Sequence, residues 1–133
     1  MWLYNNEKFT EIGDYIGFVY LITCLCNNKK YIGKKNFYFA KTKQVKGKKK
    51  RYKVESDWKD YYGSSDILNE HVSLYGENQF KREILRLCKS KGEMSYFESK
   101  FQFENAVLES DDWYNSHIMC RVHAKHLTYL KKK

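Results

Sequence analysis

A small α+β domain, with a three-stranded antiparallel sheet flanked by helices, is the fold that this sequence predicts. Three observations predict it. A nearly unbroken apolar run from Phe18 to Cys26 is followed by Asn27-Asn28 and a shorter run from Lys30 to Asn36, the pattern of an antiparallel hairpin. A third run of strand character, Phe80 to Cys88, lies far downstream. Segments of helical character, 66–75 and 92–108, stand on either side of it.

Residues 1–16 read as a polar lead-in whose Trp2 and Tyr4 cover an edge of the core. In the hairpin, side chains alternate with period two, so an even-length loop puts Tyr20, Tyr31 and Lys35 on one face. Centred on Leu25-Cys26, the loop sets the two phenols opposite each other. Centred on Asn27-Asn28, it separates them by four residues, roughly 13 Å. Residues 40–56 read as a basic loop or arm, mobile without a partner. Ser64 or Ser65 caps a helix from Asp66 to Tyr75, which Gly76 closes. After the third strand and second helix, residues 116–133 form a basic tail that returns towards the same face.

With 133 residues, no proline, no repeat and no Gly/Ser linker, the chain is one domain with a single modest core. A 42% hydrophobic and 17% aromatic content excludes a disordered chain. No apolar run reaches membrane-spanning length and the N-terminus lacks a signal-peptide pattern, so the expected location is the cytoplasm, away from membranes. Cys24 and Cys26 sit on the proposed strand and read as small apolar residues. Together with His123 and His126 they lack the paired Cys-x₂-Cys spacing of a zinc site.

Charge is the second strong signal. The net charge is +9, yet Tyr15 to Val54 holds twelve Lys/Arg and no Asp or Glu, leaving 13 basic and 16 acidic groups on the other 93 residues. An acid-free basic tract interleaved with Phe37, Tyr38, Phe39 and Tyr52 points to a polyanion partner. The candidate nucleic-acid-binding residues are Lys34, Lys41, Lys43, Lys46, Lys48, Lys49, Lys50, Arg51 and Lys53.

The hairpin resembles the catalytic hairpin of the GIY-YIG nucleases, whose first motif stands here as Phe18-Val19-Tyr20 and whose second is intact as Tyr31-Ile32-Gly33. The resemblance continues through Tyr61-Tyr62-Gly63-Ser64, Phe80-Lys81-Arg82-Glu83-Ile84-Leu85, a segment around Glu98, and Trp113-Tyr114-Asn115. It covers about Gly17 to Asn115 and is to small phage-encoded, free-standing endonucleases of the homing type, which would place the protein in the host cytoplasm. It implies the same α+β architecture and a metal-dependent endonuclease that hydrolyses phosphodiester bonds in double-stranded DNA.

Phosphodiester hydrolysis needs a base for water, a cation on the phosphate and a metal-binding carboxylate. The hairpin carries no carboxylate, so Glu93, Glu98 and Glu104 of the last helix are the candidates. Glu93 reads as a solvated surface residue. On a helical wheel Glu104 falls inside the apolar arc if the helix runs unbroken to 108, while Glu98 lies at its edge. The family pattern, a Glu three residues before an aromatic, matches Glu98 and Phe101 and selects Glu98 as ligand for Mg²⁺ or Mn²⁺. The resemblance makes Tyr20 the base, Tyr31 the group that positions water or phosphate, and Asn115 a structural or supporting group. An unperturbed phenol is a poor base, and Lys34, Lys35 and a metal are the fields that would favour the phenolate.

The family's arginine after the second motif has no counterpart within about ten residues. Lys35 on the tyrosine face and Arg51 in the arm are the substitutes that the sequence offers. That departure keeps a second class open, a non-catalytic nucleic-acid-binding module of the same fold. RNA is not excluded as the ligand. About eighteen residues follow Asn115, so specificity is either relaxed or supplied by a homodimer or protein partner.

Overall fold

The computed structural model describes residues 1–122 and 124–130. Seven strands, β1 (Trp2–Tyr4), β2 (Glu7–Lys8), β3 (Gly17–Cys24), β4 (Lys30–Asn36), β5 (Tyr38–Val45), β6 (Lys48–Glu55) and β7 (Phe80–Cys88), combine with helices α1 (Asp66–Tyr75) and α2 (Lys91–Glu104). The three expected strands are neighbours in the sheet, with β3 lying between β4 and β7 and antiparallel to both.

The sheet is wider than three strands, however. Its order is β2-β1-β7-β3-β4, and β1 joins β7 in parallel, which makes it mixed. Trp2–Tyr4 and Glu7–Lys8 are therefore strands of the sheet rather than a lead-in over its edge, and residues 9–16 connect them to β3. Asn5 and Asn6 both have positive φ (51° and 67°), giving the tight turn that returns β2 onto β1. A three-residue strand is too short to show a period in sequence.

The arm is also ordered differently from expectation. β5 and β6 pair over eight registered positions, Tyr38↔Glu55 to Val45↔Lys48, as a separate two-stranded sheet. Lys46 and Gly47 turn it with φ of 51° and 78°, the conformation of a two-residue hairpin loop. Its root is fixed to the end of β4, where the Ser56 N–H donates to Phe37 O at 2.7 Å and Ser56 Oγ to Asn36 O at 2.6 Å.

Apolar groups lie on both sheet faces, as a two-faced central strand requires. One face carries Phe18, Tyr20, Ile22 and Cys24 of β3 against Trp2, Phe37, Trp58 and Leu68. The other sets Val19 and Ile32 against Met94 and Phe97 of α2. A β-bulge in the β3–β7 pairing, where Val19↔Arg86 is followed by Tyr20↔Ile84, puts both Leu87 and Ile84 on the Tyr20 face. Arg82, 4% exposed, donates to the carbonyls of Lys59 and Tyr61 and so holds the loop before α1.

Helix α1 spans the expected residues, with Ser65 accepting from the Leu68 N–H and Gly76 closing it. Strand β3 ends at Cys24, which leaves Cys26 in the turn and exposed rather than on the strand. His123 and the side chain of His126, which the zinc pattern would need, lie outside the described residues. Among the described residues no helix is long and apolar enough to cross a membrane.

Candidate active site at the β4 edge

Strand β4 is the outer strand of the sheet, so its outward backbone groups need partners. The segment before Asn115 supplies the first. Lys30 N–H donates to Asp112 O at 3.0 Å, and Tyr114 N–H donates to Lys30 O at 2.7 Å. At Ile32 a side chain takes over. Its N–H donates to Asn115 Oδ1 at 3.1 Å, while Asn115 Nδ2 donates back to Ile32 O at 2.8 Å. Asn115 therefore does not bond its own loop. It closes the sheet edge in the middle of the Tyr31-Ile32-Gly33 motif. At Lys34, the next outward position, the backbone N–H and the ammonium both face Glu98.

The hairpin register falls midway between the two alternatives that the sequence left open. Tyr20 pairs with Gly33 and Ile22 with Tyr31, so the phenols are diagonal neighbours with ring centroids 6.2 Å apart. Tyr20 lies across Gly33, where an added Cβ would sit 2.4 Å from its Oη and 2.9 Å from Tyr31 Cε2. That contact is why the second motif ends in glycine.

The two phenols have unequal access to water. Tyr20 is 1% exposed, and burial pushes its phenol well above the usual range, reinforced by Tyr61 and Tyr31. Its hydroxyl lies against Gly33 and Gly63. Tyr31 is half-buried and shares a 2.9 Å hydrogen bond with Ser64 Oγ. Burial raises its phenol too, and the Ser64 bond works in the opposite direction. Ser64, one of the two serines that could cap α1, leaves that role to Ser65 and bonds Tyr31 instead. Two adjacent serines were the available signal, since only Ser65 is needed for the cap.

Among the glutamates, Glu98 takes the site position. Its side chain is 16% exposed, with Lys34 Nζ at 4.0 Å. Burial raises its carboxyl above the ordinary range, while Lys34 and His117 pull it back. Helix α2 stops at Glu104, so the unbroken turn that would have buried this residue is absent, and it lies exposed beside Lys100. Glu93, expected to be solvated, is 7% exposed and accepts from the Lys89 N–H and the Tyr129 hydroxyl.

The cations divide differently from expectation. Lys35 does lie on the tyrosine face, but its ammonium is 2.6 Å from Asp57 and 4.0 Å from the Tyr61 ring centroid. Paired and covered, it lies over Tyr61, whose ring meets Tyr20 edge to face. Lys34, which donates to Ser95 Oγ at 2.9 Å, is the lysine beside Glu98. Arg51 does not join the site. It stands opposite Thr42 on the exposed hairpin, four pairs beyond the root, or about 13 Å along the strand.

Because β4 is an edge strand, side chains from both sheet faces reach one cavity around it. This cavity, about 250 Å³, is lined by Tyr31, Lys34, Ser64, Glu98, Gln102 and His117. A neighbouring cavity of about 360 Å³ shares Tyr31, Ser64 and His117 and continues past Asn115 and Asp66. Gln102 donates from Nε2 to Ile32 O at 2.9 Å, and its buried Oε1 has no hydrogen-bond partner among the described residues. His117, two residues past Asn115, is the part of the expected tail that lines both cavities, while Tyr129 further along bonds Glu93.

Among the described residues no three His, Cys, Asp or Glu cluster to form a closed metal cage. A single buried-edge carboxylate beside an unpartnered amide oxygen instead fits a hard cation that keeps most of its water, such as Mg²⁺.

Comparison with known proteins agrees with this arrangement. A family model described as "Putative endonuclease segE, GIY-YIG domain" matches residues 2–118. The protein named "Putative endonuclease segE" of Enterobacteria phage T4 is 31% identical over 99 residues, 74% of this chain. Those residues span 39% of that relative's length. No solved structure matches the chain. With the two tyrosines, Glu98 and Asn115 arranged around β4 and the family match running from β1 past Asn115, the chain belongs to the GIY-YIG endonuclease family, in the group of the phage segE domain.

Proposed function

We propose that the protein is a metal-dependent endonuclease that hydrolyses phosphodiester bonds in duplex DNA at the β4 edge. One observation carries the reading: Tyr31, Ser64, Lys34 and Glu98 line a single cavity, and the basic hairpin, whose one acid is Glu55 at its root, begins at the end of the same strand. Glu98, with Gln102 Oε1 nearby, would hold Mg²⁺ or Mn²⁺. When bound, such an ion neutralises phosphate charge and acidifies water. Tyr31 is the phenol that meets the water, with Ser64 orienting its hydroxyl. Tyr20 buttresses Tyr31 from the core, so the exposures favour exchanging the roles first expected of the two. Lys34 faces the developing charge on the phosphate, and Asn115 keeps β4 in register.

A non-catalytic nucleic-acid-binding module is the second reading, and one observation favours it: among the described residues no arginine lines either cavity. Nicking of supercoiled plasmid by purified protein separates the two. The expected result is nicking with Mg²⁺, none with EDTA, and none with Glu98→Ala at undiminished DNA affinity. Tyr31→Phe should lose about 10²–10⁴-fold in rate, as removal of proton transfer does, while Tyr20→Phe should lose less. Absent nicking would support the binding module, whereas metal-independent nicking would overturn only the metal assignment. A dead Tyr20→Phe beside an active Tyr31→Phe would restore Tyr20 as the base.

A further inference from the structure

The β5–β6 hairpin has a division of labour that its charge alone does not reveal. From Phe39 to Lys53 every residue is exposed, and among the described residues none of its eight Lys/Arg lies within 4 Å of a carboxylate. The registered pairs Thr42↔Arg51 and Gln44↔Lys49 fix which side chains share a face. Thr42, Gln44, Lys49, Arg51 and Lys53 lie on one face. The other carries Lys41, Lys43, Lys48 and Lys50 with Phe39, Val45 and Tyr52. The side chains able to make forked hydrogen bonds, Gln44 and Arg51, are thus together on one face, separated from a run of point charges on the other.

The dimensions suit a particular partner. A two-stranded ribbon with strands about 4.8 Å apart enters the roughly 12 Å major groove of B-form DNA. Eight residues per strand reach about 26 Å, enough to follow the groove for most of a turn. In that groove an arginine fork matches guanine O6 and N7, and a glutamine amide matches adenine N6 and N7. The deep, narrow major groove of duplex RNA does not admit such a ribbon. The hydrogen-bonded root at Phe37, Asn36 and Ser56 joins the ribbon to the strand that carries Tyr31 and Lys34.

We propose that the β5–β6 hairpin is a base-reading ribbon, inserted in the major groove of duplex DNA with the Thr42, Gln44 and Arg51 face on the base edges. The lysines of the opposite face reach the phosphates of the groove walls. Sequence preference is then set within this chain, a few base pairs from the cut. The inference rests on the reading of the protein as a duplex-DNA enzyme, so its test separates the two.

The full chain, in EDTA, is used to select from a randomised DNA duplex, and the bound fraction is sequenced. Gln44→Ala with Arg51→Ala should flatten the selected motif, each forked contact being worth about 5- to 150-fold in discrimination. Lys43→Ala with Lys50→Ala should keep the motif, weaken all sequences alike, and lower the slope of log affinity against log salt by roughly one to two. Replacing guanine by 7-deazaguanine in the selected site should weaken the wild type but not Arg51→Ala. Duplex binding with no motif, equal effects of the two paired variants, or equal affinity for duplex RNA would each overturn the ribbon and leave the enzyme reading standing. Failure to bind duplex DNA at all would overturn both.

Discussion

Gly33→Ala tests the central contact of the site without touching a polar group. An alanine Cβ there would stand 2.4 Å from Tyr20 Oη, 2.7 Å from Tyr20 Cζ and 2.9 Å from Tyr31 Cε2. Ordinary carbon contacts need about 3.5–4.0 Å, so both rings must retreat by about 1 Å. Tyr20 has little room to do so. Its ring already meets Trp2 at 5.2 Å and Tyr61 at 6.0 Å between centroids, in the fully buried half of the core. Overpacking of this kind costs ~1–3 kcal/mol. For a chain of this length that is roughly 4 °C of melting temperature per kcal/mol. Thermal denaturation followed by circular dichroism, run in EDTA, reads the change. The double variant Gly33→Ala/Tyr20→Phe removes the nearest atom, Oη, and should recover part of the loss, with a coupling of at least ~0.5 kcal/mol. A Gly33→Ala protein with unchanged stability, or single-variant losses that simply add, would refute the packing of the two rings on Gly33.

Two further outcomes follow from the same edge. Asn115→Ala leaves the Ile32 N–H without its acceptor and should destabilise by ~1–3 kcal/mol, with faster hydrogen exchange at the Ile32 amide; an unchanged exchange rate there would refute the edge clamp. Glu98 binds its proton more tightly folded than unfolded, since burial raises its carboxyl, so its contribution favours the native state at acid pH. That contribution is lost as pH rises from the unfolded value, about 4.5, through the folded one. Without metal, the melting temperature of Glu98→Gln relative to wild type should therefore climb across that interval. Added Mg²⁺ should protect only the wild type at its upper end, and parallel pH profiles for the two proteins would refute this.

Much of the frame was legible in residue order alone. The central β3–β4 hairpin, the strand Phe80–Cys88 and the helix Asp66–Tyr75 with its Ser65 cap each carry a local signal: an apolar run, a turn residue, a capping hydroxyl. The acid-free tract from Tyr15 to Val54 is equally local, a run of basic residues readable from residue order alone. Asn5-Asn6 and Lys46-Gly47 are local signals too, and their positive φ values make the two tight hairpins of the lead-in and the arm.

What only the tertiary structure decided is long-range. The parallel pairing of β1 with β7 joins residues about eighty apart, and three residues have no period to announce it. The relative register of Tyr20 and Tyr31 depends on where a six-residue turn centres, which no single residue fixes. Glu98 was distinguished from Glu93 and Glu104 by where α2 ends and what packs on it. Lys34 and Lys35 are adjacent and chemically identical, yet alternation on β4 sends one towards Glu98 and the other under Tyr61 beside Asp57. Residue types determined which chemistry this chain could perform. Burial and facing, which arise only when distant segments close around the β4 edge, decided which of those residues could reach it.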